Sequence, residues 1–502
     1  MTNPENSHRI ARNTVVLYVR MLLIMILSLY ISRVVLNALG SEDYGIYNVV
    51  AGIVILLAFL NNAMTGATQR YLSFEIGTGN IEKVRKIFHN SLIIHIGLVV
   101  IIVLLAETVG LWFLKTQLNI PEERFHAAEF VYQFSIITFS LSIIQVPFRA
   151  SLIAREDMGI YAGISIFEVL LKLIVALLLT RIGYDSLKLY SILLTLVSLL
   201  VLLVYIFTTY SKYQEVSLKI VAEQKLLKEM TQYAGWSVFG SSASVIYQQG
   251  INFLLNIFFN VVVNAARAIS LQLTVALNSF ITSFQTAVNP QIVKAYASGN
   301  REYMFKLIFN SSKFTFFILY IFSLPVLFEI DIILKFWLKT VPEYTSIFAQ
   351  LAIIDLLINS VSNPLMIAAQ ATGRIKVYQL VVGGLLLFNL PISWILLANG
   401  FPPEVTFIVS IALSVLSLIA RMIMLRGLVG LNIPEFIQLV ILPIITVSTV
   451  SLIIPFTLKW ISGSEILLIL SCLIFTTLIS YYLGLKKQER GQVIGFLKAF
   501  IK

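Results

Sequence analysis

Apolar residues run through the chain in stretches of about twenty, and the charged residues fall almost entirely between those stretches. A helix needs roughly 20 mainly apolar residues to cross a hydrocarbon core about 30 Å thick. Run length, together with charged and Gly/Pro-rich breaks, predicts about fourteen spans. Their cores lie at 14–39, 45–66, 89–110, 129–151, 159–181, 188–210, 234–258, 265–289, 312–335, 346–370, 377–399, 405–425, 436–457 and 465–484. The expected fold class is all-α and polytopic, with no connection long enough for a soluble domain. The first run lacks a small-residue cleavage pattern and reads as a retained helix, not a signal peptide.

Composition makes a soluble reading untenable. Of the 502 residues, 58% are hydrophobic and 12% charged, against about 25% charged in soluble domains. The mean hydropathy is +0.90, so most apolar surface must meet lipid. The net charge of +11 is scattered over short loops, which argues against nucleic-acid binding. It orients the chain instead. Arg9 and Arg12, then Arg70, Lys83, Arg85 and Lys86, Arg155, Lys212 to Lys228, Lys294 to Lys306, Arg374 and Lys376, Arg426 and the tail from Lys486 occupy alternate connections. The intervening ones are poor in Lys and Arg and carry Glu42/Asp43 and Glu122/Glu123. By the positive-inside rule both termini are cytoplasmic, and Trp112, Trp337 and Trp460 fall at span ends on the outer side. With Cys472 the only cysteine, no intrachain disulfide can form.

The chain also repeats itself. GNIEKVRKIFHNS at 79–91 aligns without gaps on GNREYMFKLIFNS at 299–311, an offset of 220 residues. Pro147, Ala154 and Tyr161 match Pro364, Ala371 and Tyr378 at an offset of 217. Two six-span halves with an even number of spans each share one orientation, as in a parallel transporter repeat. The predicted organisation is a first half over 1–210, a cytoplasmic linker helix over 211–232, a second half over 233–425, and two extra spans with a basic tail over 426–502. The linker, with charged and apolar residues at helical spacing from 213 to 232, reads as an interfacial helix.

The opening NTVVLYVRMLLIMILSLYISRVVLNALGSEDYGIYNVVAG (13–52) resembles the Wzx-type polysaccharide-unit flippases, and TQRYLSFEIGTGN (68–80) and EVLLKL (168–173) agree. These flippases belong to the MATE-like multidrug/oligosaccharidyl-lipid/polysaccharide exporter superfamily. The resemblance implies transfer of an undecaprenyl-diphosphate-linked oligosaccharide between leaflets of a bacterial inner membrane. It implies no cofactor. The partners it implies are the lipid-linked oligosaccharide, membrane lipids, and polysaccharide polymerase or chain-length machinery.

Ionisable groups within spans are costly, so each is a site candidate. Arg20 in the first span is one; Arg33, nearer the outer end, reads better as snorkelling to the headgroups. Glu168 and Lys172, four apart in the order that favours a same-face pair, either lock two helices or line a path. Polar stripes run along three further spans: Asn61, Thr65 and Gln69; Gln248, Asn252 and Asn256; and Arg267, Thr274, Asn278, Thr282, Gln285 and Asn289. Asp355, Asn359 and Asn363 make a shorter one. Taken singly, such residues are glue between membrane helices; as matched stripes in both halves they suggest a hydrated cavity. Arg20, Lys172 and Arg267 suit a diphosphate, and Asn61, Gln69, Asn252, Asn278 and Gln285 suit sugar hydroxyls. Pro147 and Pro364 mark kinks, read as fixed shape ahead of gating.

Two other classes compete. An enzyme lacks support: there is no phosphate-binding G-x-x-x-x-G-K-[ST] loop, and His8, His89, His95 and His126 form no metal motif. His95 reads as a packing residue. A membrane polymerase or ligase would be expected to carry a large outer loop. A MATE-like cation-coupled drug exporter is the closer alternative, but it wants an acidic residue where the first span offers Arg20 and Arg33.

Overall fold

The computed structural model describes residues 4–55, 58–116, 120–179, 185–217, 221–259, 261–338, 341–461 and 465–491, and these are helical almost throughout. No strand occurs among the described residues. In chain order the helices are α1 (Pro4–Ile55), α2 (Ala58–Thr78), α3 (Ile81–Leu105), α4 (Leu111–Thr116), α5 (Glu122–Ile144), α6 (Val146–Ala154), α7 (Met158–Leu179), α8 (Ser186–Lys212) and α9 (Gln224–Phe258). There follow α10 (Val261–Ala297), α11 (Arg301–Phe328), α12 (Ile330–Leu338), α13 (Thr345–Ala371), α14 (Lys376–Ala398), α15 (Val405–Val429), α16 (Ile433–Phe436), α17 (Leu442–Ile461) and α18 (Glu465–Ile479). Gly40, with φ 76° and ψ 170°, interrupts α1 where the first two predicted spans meet.

Eleven of the described helical stretches are long and apolar enough to cross a membrane. The three predicted spans outside that set, 45–66, 234–258 and 265–289, are helical too. They are the ones that carry the long polar stripes; the first is also crossed by residues 56–57, outside the described residues. At 35 and 37 residues, α9 and α10 are some 50–55 Å long at ~1.5 Å per residue, so length does not exclude them. Their polarity does, and a helix of that kind needs protein or water along one side.

Two compact units make up the chain: residues 16–238, and residues 1–15 with 239–502. Both divisions fall inside helices, in α1 after Val15 and in α9 after Val238. In the first unit α5 packs on α8 and α2 on α6, around Leu72, Val131, Tyr132, Leu152 and Ala176. In the second, α13 packs on α10, α11 and α15, around Ile292, Ile308, Leu365 and Leu425.

The sequence repeat has the same geometry in both units. Gly79 (φ 79°) and Gly299 (φ 75°) end their helices in the left-handed region that glycine enters freely. Their amides donate to Ile76 and Tyr296, and the next amides to Glu75 and Ala295, the pattern of a Schellman stop. Asn80 and Asn300 then cap α3 and α11, each side chain accepting from an amide three residues on, at 3.0 and 3.1 Å. The matched prolines differ: Pro147 lies just after a break between α5 and α6, whereas Pro364 sits inside an uninterrupted α13.

The expected linker helix over 211–232 requires correction. Tyr213–Ser217 and Val221–Glu223 are not helical, and the helix from Gln224 runs straight into the seventh span. The segment is tied down by charge instead. Arg155 pairs with Glu215 at 2.8 Å, Lys212 with Asp157 and Lys86 with Glu223 at 2.9 Å each, and the Tyr213 hydroxyl donates to Asp157. Trp112 and Trp337 are exposed at helix ends; the side chain of Trp460 and the tail beyond 491 lie outside the described residues.

Candidate functional site

In the first unit the polar residues converge near the starts of α7 and α6 and the end of α8. Arg20 of α1 lies over the ring of Tyr161, its guanidinium carbon 4.6 Å from the centroid, a cation–π contact. Its Nε is buried with no hydrogen-bond partner. The buried Tyr205 of α8 has Tyr161, Arg149, Glu168 and Arg20 as electrostatic neighbours. Arg149 of α6 makes no side-chain hydrogen bond or ion pair among the described residues. It also neighbours His95, which is fully buried on α3. His95 Nδ1 lies 2.7 Å from the Ser91 carbonyl. A carbonyl only accepts, so Nδ1 is the donor there, and Nε2 is buried without a partner.

Glu168 and Lys172 form the expected pair at 2.6 Å on α7. With Arg20 and Arg149 this gathers three cations against one carboxylate, a local excess of positive charge. Asn61 and Gln69, on α2, make no side-chain hydrogen bond to them among the described residues. Thr65 donates to the Asn61 carbonyl at 2.8 Å, the Asn61 amide oxygen is buried without a partner, and Gln69 lies two turns further on.

The second unit engages its candidate cation differently. Arg267 is buried on α10 and donates to the Asn252 amide oxygen of α9. Tyr247, whose hydroxyl lies 2.9 Å from Ser410, is its electrostatic neighbour. Ser410 reaches Asp355 at 3.5 Å, Ser414 donates to the same carboxylate at 2.6 Å, and Asn359 donates to Ser414 at 3.1 Å. Arg267 and Asp355 are thus coupled through Tyr247 and Ser410, not by direct contact. Gln285, with its amide nitrogen buried and unpartnered, lies 18 residues beyond Arg267 along α10, about 27 Å at ~1.5 Å per residue. Asn278, half-buried, lies between them. The α10 stripe therefore runs the depth of a membrane and is not one compact pocket.

Sequence reasoning missed Arg149, Tyr205, Arg421 and Lys313. Arg149, Arg421 and Lys313 fall inside the predicted spans 129–151, 405–425 and 312–335, so the rule that singled out Arg20 would have found them. Among the described residues no group of three or more His, Cys, Asp or Glu is placed to hold a metal ion.

Residues 10–296, more than half of the chain, match a family described as polysaccharide biosynthesis protein. The chain belongs to that family. The stretch 13–52 that resembles Wzx-type flippases lies within the match. No curated protein matches the chain. Solved structures agree on the fold. A multidrug resistance MATE family transporter of the MOP superfamily, in an outward-facing conformation, superposes with a TM-score of 0.71 at 14% identity, over 86% of this chain and 98% of that one. A MOP superfamily transporter from Pyrococcus furiosus, described by the reverse polarity of its binding pocket, gives the same four figures. A variant of a Vibrio cholerae MATE transporter gives 0.69 at 16% identity, over 84% and 98%. At such identities the likeness is one of fold alone. Family and fold together make this member of the polysaccharide biosynthesis family a multi-pass membrane transporter.

Proposed function

We propose that the chain is a flippase that carries undecaprenyl-diphosphate-linked oligosaccharide repeat units from the cytoplasmic to the outer leaflet of a bacterial inner membrane. The product feeds O-antigen, capsule or exopolysaccharide assembly, and both termini are cytoplasmic. Family membership supports the polysaccharide role. The observation that carries the substrate class is Arg20 stacked on Tyr161 with a buried, unpartnered Nε, beside an unpaired Arg149. Guanidinium groups present a planar fork of donors to phosphate oxygens. Lys172, released from Glu168, offers a compact charge deeper along α7. Asn61, Gln69, Asn252, Asn278 and Gln285 meet sugar hydroxyls, Arg267, bonded to Asn252, lines the sugar path of the second half with them, and the lipid tail stays in the bilayer. Alternating access follows from rocking of one half against the other. Polymerase or chain-length machinery would take up the product.

The excess of cations over carboxylates around Tyr205 suits an anion better than the organic cations of a drug exporter. The test is the leaflet distribution of lipid-linked oligosaccharide in cells with and without the protein, with synthesis intact. Accumulation on the cytoplasmic leaflet upon loss, reversed by wild type and not by Arg20→Gln, is the expected result. An unchanged distribution with normal surface glycan would overturn the reading.

A further inference from the structure

The repeat that matches Tyr161 with Tyr378 has a chemical counterpart in three dimensions. Tyr161 stands in the first turn of α7, and Tyr378 in the first turn of α14. Each tyrosine holds an arginine. In the first unit Arg20 lies over the ring of Tyr161. In the second, Arg421 of α15 donates from Nε to the Tyr378 hydroxyl at 3.0 Å, and Tyr378 is fully buried. Both arginines keep a buried donor without a partner: Nε of Arg20 and Nη1 of Arg421. Neither is paired with a carboxylate among the described residues.

The supplying helices differ. Arg20 comes from α1, whereas Arg421 comes from α15, and the 217-residue offset sets Arg421 against Val204, next to Tyr205. The two units thus differ in the helix that brings the cation, yet each sets an arginine on the matched tyrosine. Packing alone does not call for this. A leucine at 421 would fill α15 without a buried donor, and an unmet donor on a charged group is costly in a membrane span. A charged group held in place by a tyrosine, with one donor left over, is suited to an anion with several acceptor oxygens.

We propose that Arg421 and Tyr378 form a second anion station, so that each half carries one Arg–Tyr site for a phosphate or diphosphate group. This rests on the flippase reading for the identity of the natural anion. It goes beyond it in assigning a site in the second half that is independent of Arg267.

The test counts sites. Purified full-length protein in nanodiscs of phosphatidylcholine is titrated with farnesyl diphosphate, and with inorganic pyrophosphate to separate headgroup from lipid recognition. Wild type is expected to bind two equivalents. Arg421→Gln and Arg20→Gln should each retain one, and the double variant none. Arg421→Lys, which keeps the charge and loses the fork, should weaken one site by about tenfold. Tyr378→Phe should weaken that same site and leave the Arg20 site unchanged. Pyrophosphate filling both sites marks headgroup recognition; if only farnesyl diphosphate fills them, the tail takes part, and both results support the station. One equivalent in wild type, lost with Arg20→Gln and kept with Arg421→Gln, would overturn the second station and leave the flippase reading standing. No binding to wild type, together with an unchanged leaflet distribution, would overturn both.

Discussion

Replacing Glu168 by Gln separates two meanings of the ion pair on α7. The pair closes at 2.6 Å with 36% of the Glu and 40% of the Lys side chain exposed. In a chain wrapped by lipid, exposure of that size faces either hydrocarbon or a hydrated path, and the energetic consequences differ. Against hydrocarbon, Lys172 without its carboxylate is a lone cation in a span, at about 2.5–3.5 kcal/mol. Against water, the pair is a solvated i, i+4 couple worth about 0.3–0.5 kcal/mol. The proposed path requires the second case, so Glu168→Gln should change the unfolding free energy by less than about 1 kcal/mol. Transport should respond far more. A Lys172 freed of its carboxylate holds a diphosphate by an extra charge-assisted bond of about 1.5–3 kcal/mol, which slows release by about tenfold or more. Unfolding in nanodiscs and leaflet transfer of lipid-linked oligosaccharide, measured on one preparation, give the two numbers. A stability loss near 3 kcal/mol with transport per folded molecule unchanged would refute the reasoning and leave a structural lock. So would a Glu168→Leu/Lys172→Met double variant that transports like wild type.

The remaining predictions concern what holds the halves. Asn80→Ala and Asn300→Ala remove equivalent caps and should each destabilise by about 1 kcal/mol, with matching shifts in thermal unfolding. Lys313, fully buried, donates to both Glu489 oxygens at 2.7 Å. Glu489→Gln should therefore cost about 3–5 kcal/mol, while Lys313→Met/Glu489→Leu should unfold close to wild type. Asp185, outside the spans, caps α8 and pairs with Arg124 at 3.1 Å. Burial works against its ionisation, but Arg124 and the cap amides outweigh it and hold its carboxyl below the usual range. A depressed folded pKa means that the stabilisation is present above about pH 4, the unfolded value, and is lost as pH falls through the folded one. Unfolding curves from pH 3 to 7 should show this loss in wild type and much less of it in Arg124→Met.

Much of the architecture is legible along the chain because membrane insertion reads local properties. Run length sets the spans, the Lys/Arg alternation sets the expected orientation, and Gly40 marks the first break by its backbone freedom. The Gly79–Asn80 and Gly299–Asn300 stops are visible as a repeat because a left-handed glycine followed by a capping side chain is a local requirement. The Glu168–Lys172 pair was readable for the same reason, since one helical turn brings the two together whatever surrounds them. The 213–232 stretch was misread because its helical spacing is real, yet ion pairs to Arg155, Asp157 and Lys86, remote in sequence, hold an irregular backbone there.

What the sequence determined by itself is therefore the run of membrane helices, the repeated Gly–Asn stops, and which helices are too polar for lipid. It could not say which polar groups meet. Arg20 finds Tyr161 across about 140 residues, Arg421 finds Tyr378, and Arg267 reaches Asp355 only through Tyr247 and Ser410. A helix fixes the direction of its own side chains, but packing against other helices decides which charge is neutralised and which is left for a ligand. That decision belongs to tertiary structure, because in a low-dielectric interior the state of a charged group is set by its few nearest partners.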